Sequence, residues 1–306
     1  MSSQLFDQIE SLATEQRNPA SMKMDEMTTD EVLRLINSED ALVADAVREE
    51  ISHITIVVDE LVSRLKVGGR LIYVGAGTSG RMGIIDAAEC PPTFGTNPET
   101  IQAIIAGGPQ AVFRSREGAE DKPEAGASAI NEINLTKSDM IIGIAASKRT
   151  PFVLGALEKA FSIGAYTVLL TTNPRESISF EYLNEAICPV VGPEVLMGST
   201  RMKSALAQKM VLTMITTTTM VRLGKVYQNM MVDLQLTNKK LEERAKRIVM
   251  IATGCDYERA SELLSQTGGH VKTAIVVERG GVSLEKAKEL LIQAEGFVKE
   301  AISNIE

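Results

Sequence analysis

RLIYVGAGTSGRMG, residues 70–83, is the stretch that decides the fold. Its apolar start at residues 70–74 predicts a short buried strand, and the glycine-rich turn GAGTSG at 75–80 leads directly into a helical pattern. A strand, a glycine turn and a helix in this order form an α/β unit. The helix N-terminus of such a unit can face an anion, because its first N–H groups have no partner within the helix.

The same arrangement recurs along the chain. Further apolar runs rich in Ile, Val, Leu and Ala predict strands at residues 100–106, 139–146, 165–171 and 185–191. Helical patterns separate these runs, and strands that are apolar on both faces are typical of a parallel sheet covered by helices on each side. We therefore predict an α/β fold in which a five-stranded parallel sheet is flanked by helices.

Helical segments are predicted before and after this sheet. Residues 29–66 carry apolar side chains at helical spacing, with Thr29 in position to cap the helix. Residues 199–251 are also helical, with an interruption near Gly224. Short helices follow at residues 256–265, 269–278 and 284–302.

The length and charge of the chain limit its organisation and its partners. Its 306 residues are enough for one large domain and a smaller one. We expect residues 1–250 to hold the sheet and its flanking helices, and residues 251–306 to form a small three-helix unit. The net charge of −8 and the lack of Trp argue against a nucleic-acid partner, because a phosphate backbone is repelled and stacking side chains are few.

Cysteine usage and hydropathy indicate the cellular compartment. Cys90, Cys188 and Cys255 form no close pair, which is typical of reduced thiols in the cytosol. Residues 1–10 lack the basic and apolar regions of a signal peptide, and no uninterrupted apolar run approaches the thickness of a bilayer. We therefore expect a cytoplasmic protein with no membrane partner.

The glycine turn at residues 75–80 satisfies the pattern GxGxxG, but its context excludes two nucleotide sites. A dinucleotide site needs an acidic residue at the end of the next strand, and that strand ends IIAGG at 104–108. A Walker A loop needs Lys and Ser or Thr where Arg81 and Met82 stand. The turn is therefore either a plain strand-to-helix connection or a phosphate site.

A second hydroxyl-rich turn favours the phosphate site. The sequence SKRTP at residues 147–151 also follows a predicted strand and opens a helix. Ligands of open α/β sheets bind at the carboxyl edge of the sheet, where both turns would lie. The candidates for binding one phosphate are Thr78, Ser79, Ser147 and Thr150.

Acid–base chemistry in this chain must fall to Asp, Glu or Lys. The chain has two histidines, His53 and His270, and both fit surface or packing positions. It therefore has few candidate ligands for a zinc cluster and few candidate bases for a Ser-His-Asp triad. Two segments place carboxylates near the sheet edge: DAAECPP at 86–92, whose prolines are predicted to end a helix, and EGAED at 117–121. Each carboxylate taken singly also fits a solvated or capping role.

Seven further stretches are distinctive: EQRNPAS at 15–21, GAGTSGR at 75–81, ECPPTFG at 89–95, EGAED at 117–121, VGPE at 191–194, GSTR at 198–201 and GKVYQN at 224–229. Through them the chain resembles the N-acetylmuramic acid 6-phosphate etherase family along nearly its whole length. One departure is visible: the family usually has SGRTP in the second turn, and here Lys148 replaces the glycine. A side chain at this position could crowd a bound phosphate or add a charge.

The resemblance implies a fold, an assembly and a reaction. The fold would be the sugar-isomerase (SIS) fold, with its core at about residues 60–224 and a UBA-like C-terminal unit. The assembly would be a homodimer. The reaction would split N-acetylmuramic acid 6-phosphate into N-acetylglucosamine 6-phosphate and D-lactate in cell-wall sugar recycling, without a metal or other cofactor. It would proceed by elimination through an unsaturated open-chain aldehyde, followed by addition of water.

The resemblance also assigns roles to individual residues. Glu89 would be the acid that assists lactate departure and water addition, and Glu120 the base at C2. One ionised carboxylate beside one kept protonated by drier surroundings is the usual division of labour. Arg201 and Lys203 could balance the lactyl carboxylate or the phosphate. The two glutamates should then face neighbouring carbons of one hexose.

Three other functions share some of these features. A phosphosugar isomerase would use the same fold and turns but would break no ether, so lactate release separates the two enzymes. A regulator similar to glucokinase regulatory protein would bind phosphosugars without catalysis, although that protein contains tandem copies of this architecture. A sugar-responsive transcription regulator would need a basic helix-turn-helix, whereas the first sixty residues are rich in Asp and Glu.

Overall fold

A computed structural model describes residues 12–236 and 238–305. Residues 1–10, on which the absence of an export signal is predicted, lie outside the described residues. The chain divides into two compact units: the first comprises Met1–Ala87 and Glu99–Ile215, and the second Ala88–Pro98 and Thr216–Glu306. Within the described residues, no helix is both long and apolar enough to cross a membrane.

The first unit is built on the predicted sheet, which is confirmed. Its strands are β1 (Leu71–Gly75), β2 (Ile101–Ile105), β3 (Met140–Ile144), β4 (Tyr166–Leu170) and β5 (Glu185–Ile187). They pair in parallel in the order β2-β1-β3-β4-β5. All five residues of β1 and of β3 are buried, which is why these strands are continuous apolar runs in the sequence.

Seven α-helices begin in the described part of the first unit. They are α1 (Thr29–Ala41), α2 (Val43–Arg48), α3 (Ile51–Lys66), α4 (Gly77–Phe94), α5 (Pro123–Glu132), α6 (Pro151–Ile163) and α7 (Lys203–Arg222). On one face of the sheet, Ile130 of α5 and Leu157 of α6 join the apolar cluster that contains Ile72 and Ile141. Burial of each such side chain contributes about 1.5–3 kcal/mol, so this face anchors both helices.

The single helical run predicted at residues 29–66 is three helices. Its N-cap is Thr28 rather than Thr29, because Thr28 and Glu31 form a capping box in which each side chain binds the other's backbone. The helical run is interrupted at Leu42, between α1 and α2, and a second time at Glu50, before α3. There the buried carboxylate accepts a hydrogen bond from the Cys188 N–H at 2.8 Å and pairs with Arg175 at 2.6 Å.

The prediction that two prolines end α4 is wrong by a few residues. Pro91 and Pro92 lie inside the helix, which continues to Phe94. A proline lacks an N–H group but keeps its carbonyl, and the Pro91 oxygen accepts the Gly95 N–H at 2.9 Å. Gly95, with φ of +63°, then supplies the left-handed residue that terminates the helix.

In the residues that the structure describes, the second unit contains helices and one hairpin. The helices that begin in it are α8 (Lys239–Thr253), α9 (Tyr257–Gln266), α10 (Val271–Gly280), α11 (Leu284–Gln293) and α12 (Val298–Ser303). The predicted boundary at residue 250 lies inside α8, and the helix predicted at 284–302 is divided where Glu295 and Gly296 adopt positive φ. The helical pattern at 199–251 also conceals an antiparallel pair, β6 (Val226–Tyr227) and β7 (Met230–Met231).

Candidate active site

The strand order places the two predicted phosphate turns side by side. The chain leaves β1 for β2 on one side and then returns to β3 on the other, so β1 and β3 are neighbours, with Gly75 opposite Ile144. Such a reversal opens a crevice at the carboxyl ends of the two strands. The turn after β1 and the turn after β3 both border this crevice.

The glycine turn is shaped by close backbone contacts. A Cβ atom on Gly75 would lie 2.6 Å from the Gly80 nitrogen, and one on Gly80 would lie 2.7 Å from the Ile105 side chain. Gly77 differs: it has φ of +53° and open space around it. The bare backbone at the start of α4, beside the half-buried Thr78 and Ser79, is therefore accessible to an anion.

The second turn carries two cationic residues, Lys148 and Arg149, and Lys148 is bound within the fold. Lys148 has φ of +58°, a left-handed conformation that favours glycine and that accounts physically for the glycine expected there. Its ammonium group donates a hydrogen bond to the Ser177 carbonyl at 2.7 Å. Partial burial and the neighbouring Arg149 lower the pKa of Lys148. Thr150 precedes α6, and its hydroxyl makes no capping hydrogen bond among the described residues.

The two turns line one cavity of about 500 Å³ in the first unit. The predicted site residues that line it are Thr78, Ser79, Glu120, Ser147 and Thr150. Its other lining residues are Leu12, Glu15, Ala76, Gly77, Asp121, Ala146, Arg149, Pro151, Gly198 and Thr200. A volume of this size is typical of small-molecule sites, so the cavity can hold a hexose phosphate.

Glu120 is tied directly to the second turn. Its carbonyl oxygen accepts a hydrogen bond from the Phe152 N–H in the first turn of α6, at 2.9 Å. The helices α5 and α6 also touch through backbone, because a Cβ atom on Gly126 would lie 1.9 Å from the Phe152 carbonyl oxygen. Likewise, one on Gly155 would lie 2.1 Å from the Pro123 carbonyl oxygen. These contacts fix the backbone of Glu120, whose side chain is exposed, beside the second turn.

Comparisons with known proteins identify the family. Residues 53–161 match the family described as glucokinase regulatory protein N-terminal SIS domain. An N-acetylmuramic acid 6-phosphate etherase from Salinibacter ruber is 58% identical over 277 residues, covering 90% of this chain and 89% of that protein. The chain belongs to the N-acetylmuramic acid 6-phosphate etherase family. A second relative with this name, from Rhizobium rhizogenes, is 52% identical and covers 90% of this chain and 89% of its own.

A solved structure is also similar to this etherase-family chain. It is the c3406 protein of E. coli CFT073, solved as a complex with a ligand, and it is 18% identical. The match has a TM-score of 0.47 and covers 66% of this chain and 97% of the other.

Three predicted residues of this etherase-family chain do not line the pocket. Glu89 lies in the last turns of α4 with its side chain exposed, and Arg201 is exposed just before α7. Lys203 is buried, with only 2% of its surface exposed, and its ammonium group pairs with the Glu39 carboxylate at 2.6 Å. The charge of Lys203 is therefore neutralised within the fold rather than directed at the pocket.

Four polar lining residues were missed by the sequence argument: Glu15, Asp121, Arg149 and Thr200. All four lie within motifs quoted above, namely EQRNPAS, EGAED, SKRTP and GSTR, so considering every polar residue of those motifs includes them. Glu15 and Thr200 come from distant segments. Their two segments approach each other at Gly198, whose N–H binds the Thr14 carbonyl at 3.2 Å and where a Cβ atom would lie 3.3 Å from the Glu15 carboxylate. No local sequence pattern indicates this approach.

A buried set of hydrogen bonds supports the second turn from behind. The carbonyl oxygen of Ala146, the residue before Ser147, accepts bonds from the Thr171 hydroxyl at 2.9 Å and the Asn173 amide at 2.7 Å. Asn173 also accepts the Ala13 N–H through its side-chain oxygen, at 3.3 Å. Asn173 therefore connects the phosphate turn to the segment that brings Leu12 and Glu15 to the pocket.

Replacing Asn173 by alanine is expected to weaken phosphosugar binding as well as folding. The change removes both connections: the Ala13 N–H loses its side-chain acceptor, while the Ala146 carbonyl keeps the Thr171 hydroxyl as a donor. Loss of the two hydrogen bonds costs about 0.5–1.5 kcal/mol of unfolding free energy for each bond. Thermal melting and the Kd for a hexosamine 6-phosphate measure the two effects. Asn184→Ala is the matched control, because Asn184 binds Thr167 at 2.8 Å outside the pocket. An unchanged Kd in the Asn173 variant would contradict its positioning role.

Proposed function

We propose that this chain cleaves the D-lactyl ether of N-acetylmuramic acid 6-phosphate, giving N-acetylglucosamine 6-phosphate and D-lactate. Membership of the etherase family, with a relative 58% identical over 90% of the chain, supports the substrate and the reaction. The single observation that carries the proposal is the pocket itself. It brings a carboxylate, Glu120, into one cavity with both hydroxyl-bearing turns.

The phosphate of the substrate is proposed to occupy the crevice between the two turns. The N-termini of α4 and α6 point their free N–H groups towards the carboxyl edge of the sheet, which favours a dianion there. Hydroxyls of Thr78, Ser79, Ser147 and Thr150 supply further donors around the same cavity. The phosphate would then fix the sugar so that its reacting carbons lie near Glu120.

The proposed chemistry begins with removal of a proton from C2. In the open-chain form of the sugar the C1 aldehyde acidifies the C2–H bond, and Glu120 accepts this proton as general base. The C3–O bond then breaks, its electron pair passes to the lactyl oxygen, and that oxygen receives a proton from the acid. Addition of water to C3 of the unsaturated aldehyde completes the conversion to N-acetylglucosamine 6-phosphate.

Glu89 is the proposed acid. Its assignment rests on the motif ECPPTFG at 89–95, since Glu89 does not line the pocket described above. We further propose that residues 1–250 contain the catalytic domain, that the chain forms a homodimer, that it uses no cofactor and that it acts in the cytoplasm. These proposals follow from the family resemblance and from the expected role in recycling cell-wall sugars.

A regulator that binds phosphosugars without catalysis is the second candidate. It is favoured by one observation, the match of residues 53–161 to the N-terminal SIS domain of glucokinase regulatory protein. A regulator needs the phosphate turns but not the carboxylate. The presence of Glu120 in the same cavity as those turns therefore favours the enzyme over the regulator.

Incubation with N-acetylmuramic acid 6-phosphate is expected to release D-lactate in a one-to-one ratio with N-acetylglucosamine 6-phosphate. In heavy water the product should carry deuterium at C2, because the proton that Glu120 removes exchanges with solvent before it is returned. Lactate dehydrogenase coupling and mass spectrometry measure the two results. Binding of the substrate without any lactate release would instead support the regulator.

A further inference from the structure

Arg149 stands out in the pocket by its charge. It is the one basic residue among the lining residues, which also include the carboxylates of Glu15, Glu120 and Asp121. The described pocket is therefore acidic on balance, although the substrate proposed above carries both a phosphate and a carboxylate. Like charges repel most strongly where water is partly excluded, so an anionic group needs a cation to enter this part of the site.

The guanidinium of Arg149 has unused hydrogen-bonding capacity. Its Nη1 atom is buried and has no hydrogen-bond partner among the residues that the structure describes. A buried donor without a partner is unfavourable by about 1–3 kcal/mol, and a charged one by more, so this atom gains free energy when a ligand oxygen accepts from it. The carboxylates that share the pocket do not satisfy this atom.

The neighbouring cation, Lys148, is not available to bind an anionic group in the pocket. Lys148 directs its ammonium group to the Ser177 carbonyl at 2.7 Å and does not line the pocket. Because Lys148 has positive φ, the backbone turns at this residue before it reaches Arg149. The turn thus separates one cation, which is bound within the fold, from another that faces the ligand cavity.

The two anions of the substrate place different demands on the pocket. The phosphate can be held by helix N-termini and hydroxyls, which the two turns already provide. The lactyl carboxylate is planar, and a guanidinium matches its two oxygens with two parallel N–H groups. A cation bound to the lactyl carboxylate would also stabilise the negative charge that develops on the neighbouring lactyl oxygen during C3–O cleavage.

We infer that Arg149 forms a carboxylate subsite that recognises the lactyl group and so distinguishes the substrate from phosphosugars that lack it. This inference rests on the function proposed above and assigns a specificity-determining residue within the same pocket. It predicts that Arg149 contributes to binding of N-acetylmuramic acid 6-phosphate but little to binding of N-acetylglucosamine 6-phosphate.

The test compares both sugars in Arg149→Gln, Arg149→Lys and wild-type protein. The glutamine variant should bind N-acetylmuramic acid 6-phosphate about 10- to 150-fold more weakly by calorimetry, the range expected for loss of a charge-assisted hydrogen bond. Its Kd for N-acetylglucosamine 6-phosphate should change less than about threefold, which also shows that the pocket is folded. The lysine variant should recover part of the loss, because it restores the charge without the paired N–H geometry.

Lys148→Gln is the matched control, because it removes one positive charge from the same turn but not from the cavity. It should leave both affinities near their wild-type values. Equal losses for the two sugars in Arg149→Gln would assign Arg149 to the phosphate, and no loss for either would remove it from the site; either result overturns the inference. Failure of wild-type protein to release lactate would count against the proposed function, while the binding comparison would still decide the subsite.

Discussion

Replacing Glu120 by glutamine is expected to lower the rate of lactate release by about 10²- to 10⁴-fold, the usual contribution of a general base. Glutamine has nearly the same shape and can still accept and donate hydrogen bonds, but it cannot take the C2 proton. Exchange of deuterium into C2 should fall in parallel, since both processes start with the same step. The measurements are kcat from coupled lactate detection and C2 exchange by mass spectrometry.

Glu124→Gln provides the control for this variant, because Glu124 is an exposed residue in the first turn of α5 outside the pocket lining. It should retain the wild-type rate. The Kd for N-acetylglucosamine 6-phosphate should change little in Glu120→Gln, since phosphate contacts remain. Full C2 exchange in this variant would show that another group is the base.

Replacing Gly155 by alanine is expected to damage both stability and activity. The added Cβ atom would lie 2.1 Å from the Pro123 carbonyl oxygen, far inside van der Waals contact, so α5 and α6 must move apart. Overpacking of this kind costs about 1–3 kcal/mol of unfolding free energy. The shift would also strain the bond between the Glu120 carbonyl and the Phe152 N–H, and a misplacement of about 1 Å can lower catalytic rates about 10²-fold.

Thermal melting and kcat/KM measure these two consequences. Ser162→Ala adds no atoms and changes an exposed residue of the same helix, so it should melt within about 1 °C to 2 °C of wild type and keep its activity. If Gly155→Ala also melted like wild type and retained its rate, the close contact between the two helices would not be important for the site.

The fold could be predicted because its signals are local. Five apolar runs predicted the strands, and the signal is strongest for β1 and β3, whose residues are all buried. The hairpin at residues 226–231 was missed, because its two-residue strands are too short to show an alternating pattern. The continuation of α4 through Pro91 and Pro92 was also missed. The rule that proline ends a helix does not consider the positive φ of Gly95, which terminates this helix after the prolines.

The candidate site could be predicted only in part, for a related reason. Hydroxyl-rich turns that follow strands can be recognised from the local sequence, and all four predicted hydroxyl residues line the cavity. The position of the Lys203 ammonium group could not be predicted from local sequence, because its partner Glu39 is 164 residues away in the chain. A lysine beside a recognised motif suggested a ligand contact, but a distant carboxylate determines where its charge lies.

In the proposed mechanism, the backbone contact between α5 and α6 links binding of the substrate to its activation. Because the two helices meet at glycines, no side chains lie between them to absorb movement, and the Glu120 backbone and the second turn are expected to move together. With the phosphate in the second turn and Glu120 as the base, an unphosphorylated sugar would lose turnover as well as affinity. Binding energy from the phosphate would then align the proton acceptor.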